Sequence, residues 1–205
     1  MSIELSLITL VATSSVSQAQ PLPEGDGYVS LGHHSFEGGA VFTDPSVSVT
    51  NSSINYDGFN LLAGRLFGVG SEVGSVKLGP ELSLKRGNVT GASSYNNGST
   101  VEALTGSMAT NGIGLKVITE QDWGTPFASF SRGTGSYTRR TYNGSVASGS
   151  TDVTSQEFTV GVELEMVNDL YSSMSVTSAA YEQPESRVGA GFSGTSFNFA
   201  VGYRF

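Results

Sequence analysis

The sequence predicts an all-β chain, an eight-stranded antiparallel up-and-down barrel that crosses a membrane with its strands. Three observations lead there. Apolar stripes recur with period two, their opposite faces are small or sparsely charged, and the links between stripes alternate short and long. Successive side chains of a strand point to opposite faces, so such a stripe marks two faces that meet different surroundings.

Composition agrees with strands and turns. The chain carries 27 Gly, only 14% charged residues and a formal net charge of -8, and Ser, Thr and Asn fill much of the remainder. No cysteine is present, which removes disulfides, thiolate catalysis and Cys-based metal sites. The ten Lys and Arg are scattered through an acidic chain, which excludes a nucleic-acid partner, since a phosphate backbone needs a concentrated basic surface. No cofactor and no resident metal are expected. No stretch approaches the roughly 18 to 20 apolar residues of a spanning helix.

Near the start, Leu5 to Ala12 is a short apolar run, and small and polar residues follow to Ala19. This is the pattern of a secretory signal peptide over 1–19, although Glu4 stands where a positive residue is usual. Residues 20–205 then form the barrel domain, with strands at about 27–36, 55–67, 74–87, 103–119, 125–140, 155–167, 170–181 and 195–205.

The last strand has the clearest pattern. Phe197, Phe199, Val201, Tyr203 and Phe205 alternate with Ser196, Asn198, Ala200, Gly202 and Arg204. Phe158 to Met166 alternates with Thr159, Gly161, Glu163 and Glu165, and Val76 to Leu84 alternates with Lys77, Gly79, Glu81, Ser83 and Lys85. Ile113, Leu115 and Val117 flank Gly114 and Lys116. In a soluble β-sandwich the polar face would carry many long charged residues; here it is small, with few ions of both signs, as a crowded lumen requires. A secreted β-sandwich or lipocalin-like barrel is the alternative. Two strands are irregular. Phe127 and Phe130 have opposite parity, which calls for a bulge or a girdle position, and Leu61 adjoins Leu62, with Arg65 as a candidate inward residue.

The links near 68–74, 120–124 and 168–169 are tight, whereas 37–54, 88–102, 141–154 and 182–194 are long and rich in Gly, Ser, Thr and Asn. The glycines from Gly68 to Gly74 lack a nucleotide-loop spacing and read as a turn. Asn51, Asn88, Asn97 and Asn143 begin Asn-x-Ser/Thr triplets and read as loop residues. Trp123, Phe127, Tyr137, Tyr142, Phe36 and Tyr56 lie near strand ends, where a membrane barrel carries aromatic girdles.

An even strand count, short turns at one end, long loops at the other and the closing Val201-Gly202-Tyr203-Arg204-Phe205 resemble the small eight-stranded outer-membrane β-barrels of Gram-negative bacteria, the opacity-protein and OmpA-barrel group. The resemblance covers roughly 26–205 in pattern and matches no loop motif. It implies placement in the outer membrane, contact with its lipid, and recognition of Val201, Tyr203 and Phe205 by the barrel assembly machinery. A structural or adhesive role follows, with any host-surface or envelope ligand bound through the loops.

Candidate site residues are the lumen charges Lys77, Glu81, Lys85, Lys116, Glu163, Glu165 and Arg204, read as ion pairs stapling the interior or as the lining of a narrow ion path. Eight strands enclose little more than their own side chains, which favours the staple. His33 and Ser35 share a face, as a base and nucleophile would, but no third group orients the histidine, so no catalytic residue is assigned. The outer-membrane lipid A deacylases carry a His-x-Ser pair in a late strand; this pair lies in the first.

Overall fold

A computed structural model describes residues 25–42, 49–69, 76–95, 100–141, 148–182 and 190–205. The signal-peptide segment 1–19 lies outside them. Eight strands, β1 (Gly25–Phe42), β2 (Val49–Gly68), β3 (Val76–Tyr95), β4 (Thr100–Thr119), β5 (Thr125–Thr141), β6 (Ser148–Glu165), β7 (Leu170–Glu182) and β8 (Ala190–Arg204), pair each with the next. β8 returns antiparallel to β1, from Tyr28↔Arg204 to Phe42↔Ala190, and closes the barrel. The last residue completes the seam, with Gly27 N donating to Phe205 O at 2.8 Å and Phe205 N to Gly27 O at 2.9 Å.

The register sets the tilt. From Tyr28 the partners run through Gly64, Glu81, Gly114, Ser131, Glu157, Ala179 and Gly194, and return to β1 at Gly38, ten residues further on. A ten-residue stagger over eight strands tilts each strand by about 40°. At this tilt the 20 residues of β3 rise about 50 Å, roughly twice the apolar band of an outer membrane.

The extra height explains a polarity inversion within single strands. At the end carrying the short turns, outward residues are apolar and exposed, among them Leu31, Ile113, Leu115, Phe158, Met174 and Phe197, while inward residues include Glu81, Lys85, Lys116 and Glu163. Towards the other end the faces exchange character. Phe36, Ile54, Tyr56, Val89, Met108, Tyr137, Val153, Tyr181 and Phe192 fill the interior, and Glu37, Asp57, Asn88, Ser107 and Thr134 face out. The lower half follows the logic of a lipid-facing barrel and the upper half that of a barrel in water.

This inversion corrects several expectations. Most of 37–54, 88–102, 141–154 and 182–194 is strand, and Asn51 and Asn88 lie in β2 and β3; only 43–48, 96–99, 142–147 and 183–189, with Asn97 and Asn143, fall outside the described residues. A wall standing in water needs a polar outer face, which reads as loop composition. Phe36, Tyr56 and Tyr137 belong to the interior and not to a girdle. No bulge interrupts β5: its pairing is continuous on both sides, and Phe127 simply points inward. Arg65 is exposed beside the buried Leu66 and faces out.

The turns are built for tightness. Asn168 (φ 56°) and Asp169 (φ 63°) both take the left-handed region, the requirement of a type I′ turn, and Leu170 N donates to Val167 O across it at 3.3 Å. Gln121 and Gly124 exchange two hydrogen bonds of 3.1 Å, and Gly124 sits at φ 147°, where a Cβ would be strained. Trp123 projects from this turn, 66% exposed, as an aromatic at the membrane edge would.

Candidate functional site: a charged chamber between aromatic layers

The inward charges meet in the lower half. Lys116 Nζ lies 2.6 Å from Glu163 Oε1 and 3.9 Å from Glu81 Oε2. The second oxygen of Glu163 accepts from Arg204 Nη2 at 2.5 Å, so β4, β6 and β8 are tied through one carboxylate. Tyr28 OH donates to Glu81 Oε2 at 2.8 Å and adds β1 and β3. Aromatic faces complete the lysine's surroundings, with Lys116 Nζ 4.4 Å from the Tyr28 ring centroid and 4.5 Å from that of Phe127. Arg204 lies over Tyr171 at 5.3 Å.

A second pair stands higher. Lys85 of β3 is ion-paired with Glu157 of β6 across the lumen, and Tyr181 OH donates to the other Glu157 oxygen at 3.2 Å. Lys85 and Lys116 therefore face Glu81, Glu157 and Glu163 inside one chamber, and Arg204 reaches Glu163 from the layer below, which makes three charges of each sign. Ser30, Asn60, Ser83, Ser131, Thr177 and Asn198 line the remainder, and the free volume among them is about 30 Å³, room for a water or two. Asn60 Oδ1 and both ring nitrogens of His34 are buried without a protein partner.

Both ends of the chamber are packed. Above it, Tyr56 and Tyr181 meet edge to face at 6.0 Å, Phe36 approaches Tyr181 at 5.6 Å, and Tyr181 stacks on Phe192 at 4.8 Å. His34 extends this layer, 4.4 Å from Tyr56. Below, Tyr28, Leu66, Ile118 and Tyr171 form a second layer with Phe127 against it. Two glycines admit its rings, since a Cβ on Gly202 would stand 2.2 Å from the Tyr171 ring and one on Gly64 2.6 Å from the Tyr28 hydroxyl.

Of the charges singled out from sequence, Glu81, Lys85, Lys116 and Glu163 are brought together in the chamber, and Arg204 joins them from below. Lys77 stands apart at the turn-end rim, bonded to Asp26 at 2.6 Å and Glu120 at 2.7 Å. Glu165 reaches Arg204 at 3.3 Å but is largely exposed. Sequence reasoning missed Glu157, Asp26 and Glu120. Glu157 had a signal: it shares the parity of Thr159, Gly161 and Glu163, one residue before the apolar stripe begins. His33 and Ser35 face outward on β1 as their parity requires, and among the described residues no hydrogen bond joins His33 to Ser35 or to an acid. Val201 and Tyr203 face outward in the apolar band, and Phe205 is exposed at its lower edge.

No family model and no curated protein matches the chain. Solved structures do. The outer membrane protein OprG from Pseudomonas aeruginosa superposes over 89% of this chain and 97% of its own at 13% identity, with a TM-score of 0.52. Ail, the attachment invasion locus protein of Yersinia pestis, in complex with the heparin analogue sucrose octasulfate, superposes over 89% and 99% at 14% identity, with a TM-score of 0.51. The fold is that of the small eight-stranded outer-membrane barrels. For an outer-membrane barrel the exposed stripe from Leu31 round to Phe197 is the lipid-facing band, and a sandwich of two sheets is ruled out. A lipocalin-like interior, apolar along its length, is not what this lumen contains.

Proposed function

We propose that this chain is exported with removal of 1–19, and that 20–205 inserts in the Gram-negative outer membrane as a closed barrel with a structural or surface-contact role. The observation that carries this reading is the inversion of polarity along single strands: a lipid-facing band below and a water-facing wall above. The chamber supports the staple reading of Glu81, Lys85, Lys116, Glu163 and Arg204, whereas Lys77 pairs apart at the rim and Glu165 is largely exposed. Its charges balance, its free volume is water-sized, and aromatic layers cover both ends, so a narrow ion path is the weaker reading. Val201, Tyr203 and Phe205 act as the closing label read by the assembly machinery. The structure of Ail holds the heparin analogue sucrose octasulfate, which supports surface contact as the role of this chain's upper wall and loops. No residue is given a catalytic role.

Two measurements test this. Cell fractionation with gels run before and after boiling should find the protein in the outer membrane with a heat-dependent shift in migration; a soluble species without that shift would refute the membrane reading. In planar bilayers the folded chain should stay electrically silent. Discrete steps that change on Glu163→Gln would restore the channel reading.

A further inference from the structure

The outward face of β8 does not fix its own register. Phe197, Phe199, Val201 and Tyr203 are exposed and apolar at every outward step. Sliding β8 by two residues between β7 and β1, in either direction, refills the slots of Phe199, Val201 and Tyr203 with apolar residues, and a fluid lipid surface does not tell one from another. The slide also keeps the ten-residue stagger, because what one seam gains the other loses. Gly27 seats the Phe205 ring, since a Cβ there would stand 2.5 Å from it, but a slide towards the turns brings the Tyr203 ring to the same seat.

The inward face does discriminate. Gly202 stands opposite Tyr171 of β7, and a Cβ in its slot would lie 2.2 Å from the Tyr171 ring. That ring is 2% exposed and packed in the layer of Tyr28, Leu66 and Ile118, so it has no free space to swing into. A two-residue slide towards the turns brings Ala200 into this slot, and a slide towards the loops brings Arg204. Either carries a Cβ. Arg204 adds a second mark, with Nη2 donating to Glu163 Oε2 at 2.5 Å and the guanidinium 5.3 Å from the Tyr171 ring centroid. A slide towards the turns takes it about 7 Å from this seat and removes one of the two cations bonded to Glu163. Asn198 adds a third mark by donating to Thr177 Oγ1 at 3.0 Å; a slide towards the loops replaces it with Ala200.

We propose that Tyr171, Gly202 and Arg204 select the one register in which β8 closes the barrel, the ring rejecting any side chain in the Gly202 slot and the arginine drawing the strand to Glu163. They are positioning residues for closure. The proposal rests on the lipid-facing placement of the outward stripe given under Proposed function, since a shapeless solvent outside leaves the choice of register to the lumen.

The chain has no cysteine, so introduced cysteine pairs report register directly. Leu31 stands opposite Val201, at a Cα separation of about 5.5 Å that a disulfide spans. Phe199 and Tyr203 are its diagonal neighbours at roughly 7 to 8 Å, beyond that reach. With the full chain refolded into lipid vesicles and oxidised, the wild-type background should cross-link L31C/V201C and neither slipped pair, L31C/F199C or L31C/Y203C. Tyr171→Leu/Arg204→Gln should raise at least one slipped pair about tenfold. Tyr171→Leu and Arg204→Gln alone should each give a smaller rise, and they carry the test if the double variant does not fold. Lys85→Met is the control: it breaks a buried ion pair between β3 and β6, and should weaken the barrel without moving the cross-link. Folded variants that cross-link only in register, or slippage as large with Lys85→Met, would overturn the proposal. Heat-dependent migration separates the two readings: inserted barrels with one register throughout refute this selection alone, whereas a wild type that never inserts refutes the membrane placement.

Discussion

Replacing Lys85 with Met should destabilise the barrel by about 3 to 5 kcal/mol, because it leaves Glu157 charged in the lumen with only the Tyr181 hydroxyl as a donor. Both side chains of the pair are only 6% exposed, so bulk solvent does not replace the lost partner. Glu157→Leu should cost a similar amount by leaving the lysine unpaired. The double variant Lys85→Met/Glu157→Leu should recover most of the loss, since replacing a whole buried pair by apolar groups of similar volume is often neutral. Urea midpoints of the heat-sensitive species in detergent, taken through the full double-mutant cycle, give the coupling. Glu165→Gln is the control, because its carboxylate is largely exposed and its bond to Arg204 is worth about 0 to 1 kcal/mol. If the single and double variants lose the same amount, the pair contributes nothing specific and the staple reading fails for it.

The same pair shows how far the sequence was legible. Lys85, Lys116 and Glu163 stand opposite continuous apolar stripes, and parity alone places them inward. Glu157 shares that parity but precedes its stripe by one residue, so a reading that begins at the stripe stops too soon. The lower halves of β3, β4, β6 and β8 are visible in this way, because lipid imposes one polarity on the outer face and the lumen imposes the other. The upper halves were hidden. In β2 the apolar residues are Ile54 and Tyr56 on one parity, then Phe59 and Leu61 on the other, with continuous pairing through the exchange. A period-two scan sees a broken strand there, although the backbone does not break. The residues change faces because the solvent outside the barrel changes from water to hydrocarbon along one strand. The legible mark was the parity switch itself, repeated in β1 between Leu31 and Phe36 and in β6 between Val153 and Phe158.

Arginine placed at three positions of β6 should therefore have three different effects. Val160 faces outward between Ala128 of β5 and Val176 of β7, within the band, and Val160→Arg should cost about 2 to 4 kcal/mol, as for a cation near the bilayer midplane. Gln156 shares its face four residues higher, above the aromatic edge formed by Phe158, and Gln156→Arg should cost about 0 to 1 kcal/mol. Val153 is 1% exposed inside the upper aromatic layer, and there an arginine meets neither lipid headgroups nor a free carboxylate. Overpacking and an unpaired buried charge act together, so Val153→Arg should exceed both other losses, at roughly 4 kcal/mol or more. Unfolding in vesicles reads all three on one scale. A barrel that were lipid-facing along its whole length would make Gln156→Arg as costly as Val160→Arg, and one with a water-filled upper lumen would tolerate Val153→Arg. The inverted barrel alone orders them with Val153 first, Val160 second and Gln156 last, since only its upper interior excludes both water and counter-charge while its upper exterior is wet.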